Sequence, residues 1–185
     1  SATLIGIYEV AWGIGSLLGT ASTSISSTLF PEMSDLSSKG DYDRVRHYLD
    51  EALAYAGVIV IPGLVGAVVI GHRILRFVRP DIAQGATVLV ILVFAYVADV
   101  YASQLLNVVN GIDRPDVAFQ INGAFIAVNA VLYVALVLQF GWEGAAVATA
   151  ISALLRVVLG YVAVAKLIDF VSIPGRSLAA EVGAA

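Results

Sequence analysis

Apolar runs long enough to cross a bilayer follow one another along most of the chain, separated by short polar stretches. The stretch 28–71 sets the pattern. An apolar segment ends at Phe30-Pro31, and a polar loop rich in Ser, Asp and Gly follows. A helix then starts near Asp41, a good N-cap, with Asp43 in the first turn where the helix dipole favours negative charge. Val45, Leu49 and Leu53 recur every fourth residue while Arg44, Arg46, Asp50 and Glu51 take the other faces. This predicts a cytoplasmic loop followed by an amphipathic lead-in helix at the membrane surface over 31–51. From Ala52 to Gly71 no charge occurs, and about 20 helical residues cover the roughly 30 Å of a bilayer core.

The same reading gives five spans, at 4–30, 52–71, 82–107, 117–140 and 145–167, and a tail over 169–185. All are helical by length; strict alternation over the shorter strands of a membrane barrel is absent. The expected fold is therefore an all-α membrane protein, a bundle of about five transmembrane helices. Gly15 and Gly19 in the first span form a GxxxG pair that lets helix backbones approach, and its many Ser and Thr suit a helix-facing or water-facing surface. Pro62-Gly63 should break the second span and kink it. His72 to Asp81 reads as a charged loop, Asn110 to Pro115 as a turn, and Gly141 to Gly144 as a tight turn with Trp142 at an interface.

Composition agrees. The chain is 59% hydrophobic and 13% charged, about half the charge of an ordinary soluble domain. Cysteine is absent, which excludes disulfides and thiol chemistry, and two separated histidines, His47 and His72, give no metal cluster. No nucleic-acid partner and no cofactor is implied. Asp-rich, Lys-poor usage fits a salt-adapted proteome. The chain opens at Ser1 inside an apolar pattern, so it reads as a piece of a longer protein. Alternating loops place Lys39, Arg44, Arg46, Arg114, Lys166 and Arg176 on one side and Arg73, Arg76 and Arg79 on the other. The richer side is expected to be cytoplasmic in a multi-pass protein of the cell membrane.

The ordered motifs LFPEMSDL, a Lys-Gly-Asp turn, a span with IPG, GHRILRFVRPD, LLNVVNGIDRP and GWEGAAVATAISALL extend over nearly the whole chain. This order resembles the polysaccharide-exporter and lipid-linked oligosaccharide-flippase branch of the multidrug/oligosaccharidyl-lipid/polysaccharide exporter superfamily. The resemblance implies a transporter of two six-helix lobes facing each other across a cavity, with this chain a partial C-terminal lobe. It also implies an alternating-access flippase for lipid-linked oligosaccharide or polysaccharide repeat units. The implied partners are that lipid-linked glycan, membrane lipids, the N-terminal lobe of the same protein, and glycan-assembly enzymes.

Transport makes no bond, so the chain is expected not to be an enzyme. Four residues are candidates for substrate binding: Arg156, Asp99, Asn107 and Glu9. A charge near mid-span costs about 2.5–3.5 kcal/mol on the insertion scale and usually faces an interior or cavity. Arg156 could hold the phosphate of a lipid-linked sugar or form a structural pair with Asp99 or Glu9. Asp99 could bind a coupling cation. Asn107, Asn110, Asn122 and Asn129 more often join helices than bind substrate. A cation-coupled multidrug antiporter of the same superfamily and a membrane scaffold for glycan assembly remain alternatives; the arginine favours an anionic substrate.

Overall fold

A computed structural model of the chain describes Gly13 and residues 31–78 and 86–168. Four of the five expected spans fall on these residues. The first span, with its GxxxG pair, and the tail over 169–185 lie outside them.

The polar segment after Phe30 is not a loop. Residues 31–38 are helical, and Met33 and Leu36, three apart on one face, are buried. Their burial outweighs the polar composition of the segment, because the Ser and acidic side chains occupy the solvent faces. The turn is confined to Lys39 and Gly40, and Gly40 takes a left-handed φ of 72°. Asp41 then accepts a hydrogen bond from the Arg44 backbone N–H at 3.3 Å, as an N-cap should.

Four long helices follow: α1 (Tyr42–Val78), α2 (Ala86–Gly111), α3 (Pro115–Phe140) and α4 (Trp142–Ile168). Each is long and apolar enough to cross a membrane. The expected boundaries shift at several points. The lead-in and second span are one helix, and its Val45–Leu49 stripe turns into the bundle instead of lying along the membrane surface. α1 runs through Pro62 without interruption; Pro62 is exposed, so its ring displaces no neighbouring helix. It also continues through the expected charged loop as far as Val78, since Arg side chains do not break a helix and the next proline is Pro80. Asn110-Gly111 stays helical, with Val108, Val109 and Gly111 buried, and the turn moves to Asp113 at φ 60°. Pro115 then opens α3 in the first-turn position, where its missing N–H leaves no intrahelical bond unmade. At the other end of α3 the turn shrinks to Gly141, φ 62°, and Trp142 already belongs to α4.

α2 is the central element. It packs most extensively on α4 and also on α1, while α3 is held mainly by α4. One apolar cluster joins Val45 and Leu49 of α1, Leu105 and Val109 of α2, Ile121 of α3 and Val164 of α4. A second joins Leu75 of α1, Val88 and Leu89 of α2 and Ala146 of α4, with Trp142 packed against it. Consecutive helices therefore run in opposite directions, with the start of α1, the end of α2, the start of α3 and the end of α4 together. Arg46 fastens that end: its Nε donates to the Ile168 carbonyl at 2.6 Å.

The α3–α4 hairpin closes tightly at Gly144. A Cβ built on Gly144 would overlap the carbonyl of Leu136, which is backbone and cannot rotate away. Gly144→Ala is expected to lower the thermal stability of the purified protein in detergent, by the ~1–3 kcal/mol typical of overpacking. Gly123→Ala, where nothing lies within 4 Å of the added carbon, should leave it unchanged.

Candidate functional site

α2 and α4 approach through small residues. Ala95 and Ala98 of α2 meet Ala150 and Ala153 of α4. Two turns further on, Gly160 lies where a Cβ would sit 3.2 Å from Leu105 Cβ. Small side chains let helix backbones come close in lipid, where no hydrophobic gain drives them together. That close approach brings the two mid-helix charges into contact. Asp99 stands at the middle of α2 and Arg156 near the middle of α4, roughly 20 Å from either end of its helix.

Arg156 Nη1 donates to Asp99 Oδ1 in an ion pair. Its Nε donates to Asn122 Oδ1 of α3 at 3.1 Å. The guanidinium carbon lies 5.4 Å from the centre of the Phe125 ring, within range of a cation–π attraction. Two helices, α2 and α3, therefore supply the arginine of α4 with an anion, an amide oxygen and an aromatic face. The Arg156 side chain is 17% exposed and that of Asp99 42%. Guanidinium Nη2 has no protein partner among the described residues. The neighbouring hydroxyls of α4 make no claim on these groups, because Thr149 and Ser152 donate to Ala145 and Ala148 carbonyls of their own helix at 2.9 and 2.8 Å.

A lone charge at this depth would be expelled or neutralised; a paired one can stay if its remaining hydrogen-bonding groups are satisfied or reach water. The half-exposed carboxylate marks the side from which water or a polar ligand reaches the pair. The arrangement makes no nucleophile and no acid–base couple. It offers a fixed, partly neutralised cation with one donor that no described residue takes, beside a carboxylate that is more open than the cation.

Of the four candidates from sequence, the structure brings together Arg156 and Asp99. Asn107 is on the same helix as Asp99 but about 12 Å further along its axis, by eight residues of rise, and does not join the cluster. Glu9 lies outside the described residues. Asn122, expected to join helices, does so by way of Arg156. Phe125 carried no sequence signal as a partner of a charge, apart from its spacing of three from Asn122 on one helix face.

The chain matches the family model described as "Lipid II flippase MurJ" over residues 7–180. It is a member of that MurJ flippase family. Among curated proteins it is 38% identical to the "Probable flippase AglR" of Haloferax volcanii, over 91% of this chain and 36% of that protein. It is 28% identical to the "Probable low-salt glycan biosynthesis flippase Agl15" of the same organism, over 84% of this chain and 33% of that protein. An "Uncharacterized membrane protein MJ1068" of Methanocaldococcus jannaschii is 26% identical over 76% of this chain and 28% of its own length. The chain thus spans about a third of the length of these relatives. No solved structure matches it. Family membership and four membrane-crossing helices make this a multi-pass membrane protein.

In this MurJ-family chain the shape of the arginine matters as well as its charge. Arg156→Lys keeps the cation but loses the fork that reaches Asp99 and Asn122 together and the flat face on Phe125. It is expected to lower stability in detergent by ~1–2 kcal/mol. The loss should shrink in an Asn122→Ala background, and an equal loss in both backgrounds would remove Asn122 from the cluster.

Proposed function

We propose that the chain forms part of the C-terminal lobe of a flippase moving lipid-linked oligosaccharide or polysaccharide repeat units across the cell membrane by alternating access. The observation that carries this reading is the mid-membrane Arg156, held by Asp99, Asn122 and Phe125, in a chain of the MurJ family. A glycan headgroup cannot cross hydrocarbon, so it needs a polar path that opens to one side at a time. In this reading the phosphate of the lipid-linked sugar exchanges with the Asp99 carboxylate on Arg156 and takes up the spare Nη2 donor. The reaction is transport, with no bond made or broken. The partners are the lipid-linked glycan, the surrounding lipids, an N-terminal lobe of the same protein and the glycan-assembly enzymes. Two relatives, one named a probable flippase and one a probable low-salt glycan biosynthesis flippase, support the substrate class.

Sidedness follows the same logic. Lys39, Arg44, Arg46, Arg114 and Lys166 gather at the end of the bundle where α1 begins, against Arg73 and Arg76 at the other. This supports a cytoplasmic location for the first end.

One observation favours a second reading. Asp99 is the more exposed half of the pair, so an arriving cation meets it first, as a cation-coupled antiporter would require.

The test is Arg156→Ala in the full-length protein, with surface glycan and lipid-linked precursor both measured. Surface glycan should fall on the order of tenfold or more, as expected for the loss of a charge-assisted contact, while precursor accumulates. Unchanged flipping would remove Arg156 from the binding role. Loss of the precursor itself would point to a scaffold for assembly enzymes. Export of a cationic drug, lost in Asp99→Asn with glycan display intact, would establish the antiporter.

A further inference from the structure

The basic residues of the described chain are not alike. Lys39, Arg44, Arg46, Arg114 and Arg156 each have an aspartate partner, at Asp35, Asp41, Asp43, Asp116 and Asp99. Arg73 and Arg76 have no ion-pair partner among the described residues, and both are exposed. Lys166 is also unpaired, but it stands singly at the opposite end of the bundle. Arg73 and Arg76 are three residues apart on α1 and so share a face, and Phe77 beside them is 93% exposed.

Their depth is set by Leu75 between them. Leu75 is buried in the cluster that holds Val88 and Leu89 near the start of α2, with Trp142 at the start of α4 packed on it. This is the level at which the membrane-crossing helices begin, where aromatic and basic side chains meet the headgroups. Helical spacing continues the same face back into the membrane through Val69, Val65, Ile61 and Val58, all exposed. Val58 to Val69 covers about 17 Å of helix, close to half of the roughly 30 Å hydrocarbon core. An apolar strip one leaflet deep thus ends in two unpaired guanidinium groups and an uncovered aromatic ring.

We propose that this face of α1 is a binding site for an anionic membrane phospholipid. The phosphate sits against Arg73 and Arg76, Phe77 lies in the headgroup layer, and an acyl chain of the phospholipid runs along the valine and isoleucine strip. Guanidinium groups suit a phosphate because their planar donors reach two oxygens at once. The site is separate from the Arg156 cluster, which α2, α3 and α4 form without α1. It does not depend on what the protein transports.

The test uses the full-length protein in vesicles of equal parts phosphatidylglycerol and phosphatidylcholine, extracted gently and weighed by native mass spectrometry. Wild type should retain phosphatidylglycerol over phosphatidylcholine on the order of tenfold or more, the effect of two basic residues near an anionic surface. Arg73→Gln with Arg76→Gln should bring the ratio close to one. Arg44→Gln, at the other end of α1, should leave the wild-type ratio unchanged. If the double variant does not fold, the wild-type preference should still fall as salt is raised during extraction. No preference in wild type, a preference kept by the double variant, or one indifferent to salt overturns the proposal. So does displacement of phosphatidylglycerol by a polyprenyl diphosphate added in equal amount, which would assign the site to a transported substrate. Retention of a second copy of the protein on this face, with no lipid, would make it a protein interface and likewise overturn it.

Discussion

A guanidinium halfway across a bilayer has to find an anion before the helix that carries it can settle. Arg156 meets that constraint through Asp99, and the bundle is arranged so that it can. The alanine contact between α2 and α4 sets the helix separation, the separation sets the reach of the two side chains, and α3 closes the third side with Asn122 and Phe125. Packing and electrostatics are therefore coupled. A larger residue at Ala98 or Ala153 would push apart the charges as well as the backbones. In the other direction, an unpaired Arg156 would pull its helix toward water.

The two ends of the bundle are built differently. Where α1 begins, charges are paired with near neighbours in sequence, and Arg46 ties the first long helix to the last carbonyl of α4. Where α1 ends, α1 carries two arginines that no described residue pairs, beside an exposed ring. One end is closed on itself, while the other leaves its charge for the membrane surface. Between them α3 stays largely exposed, with Phe119 and Leu138 uncovered, so its outer face is left to hydrocarbon or to another helix.

Much of this was legible from residues alone. The spans could be read because length and lack of charge are sufficient conditions for crossing lipid. Boundaries could not, because polarity and helix-breaking are different properties. Arg73 and Arg76 look like loop residues yet continue α1, and Asn110-Gly111 looks like a turn yet is held in α2 by the burial of Val108 and Val109. The segment 31–38 was hidden by its serines, since only Met33 and Leu36 face inward. Asp99 and Arg156 were visible as mid-span charges, and their pairing was among the alternatives. Asn122 and Phe125 were not visible as their partners, because which face of α3 meets α4 depends on the tight turn at Gly141 and the contact at Gly144. Asn107 was chosen for its polarity, and helical rise carries it too far from the pair.

The most direct measurement is the coupling energy between the two charges, from the unfolding of wild type, Asp99→Asn, Arg156→Gln and the combined variant in one detergent or bilayer system. A structural pair at the centre of the bundle should give a coupling on the order of 1–3 kcal/mol, with the combined variant more stable than the sum of the single losses implies. Single losses that simply add, within about 0.5 kcal/mol, would mean that Asp99 and Arg156 act independently, and the organisation of the site around their contact would be contradicted.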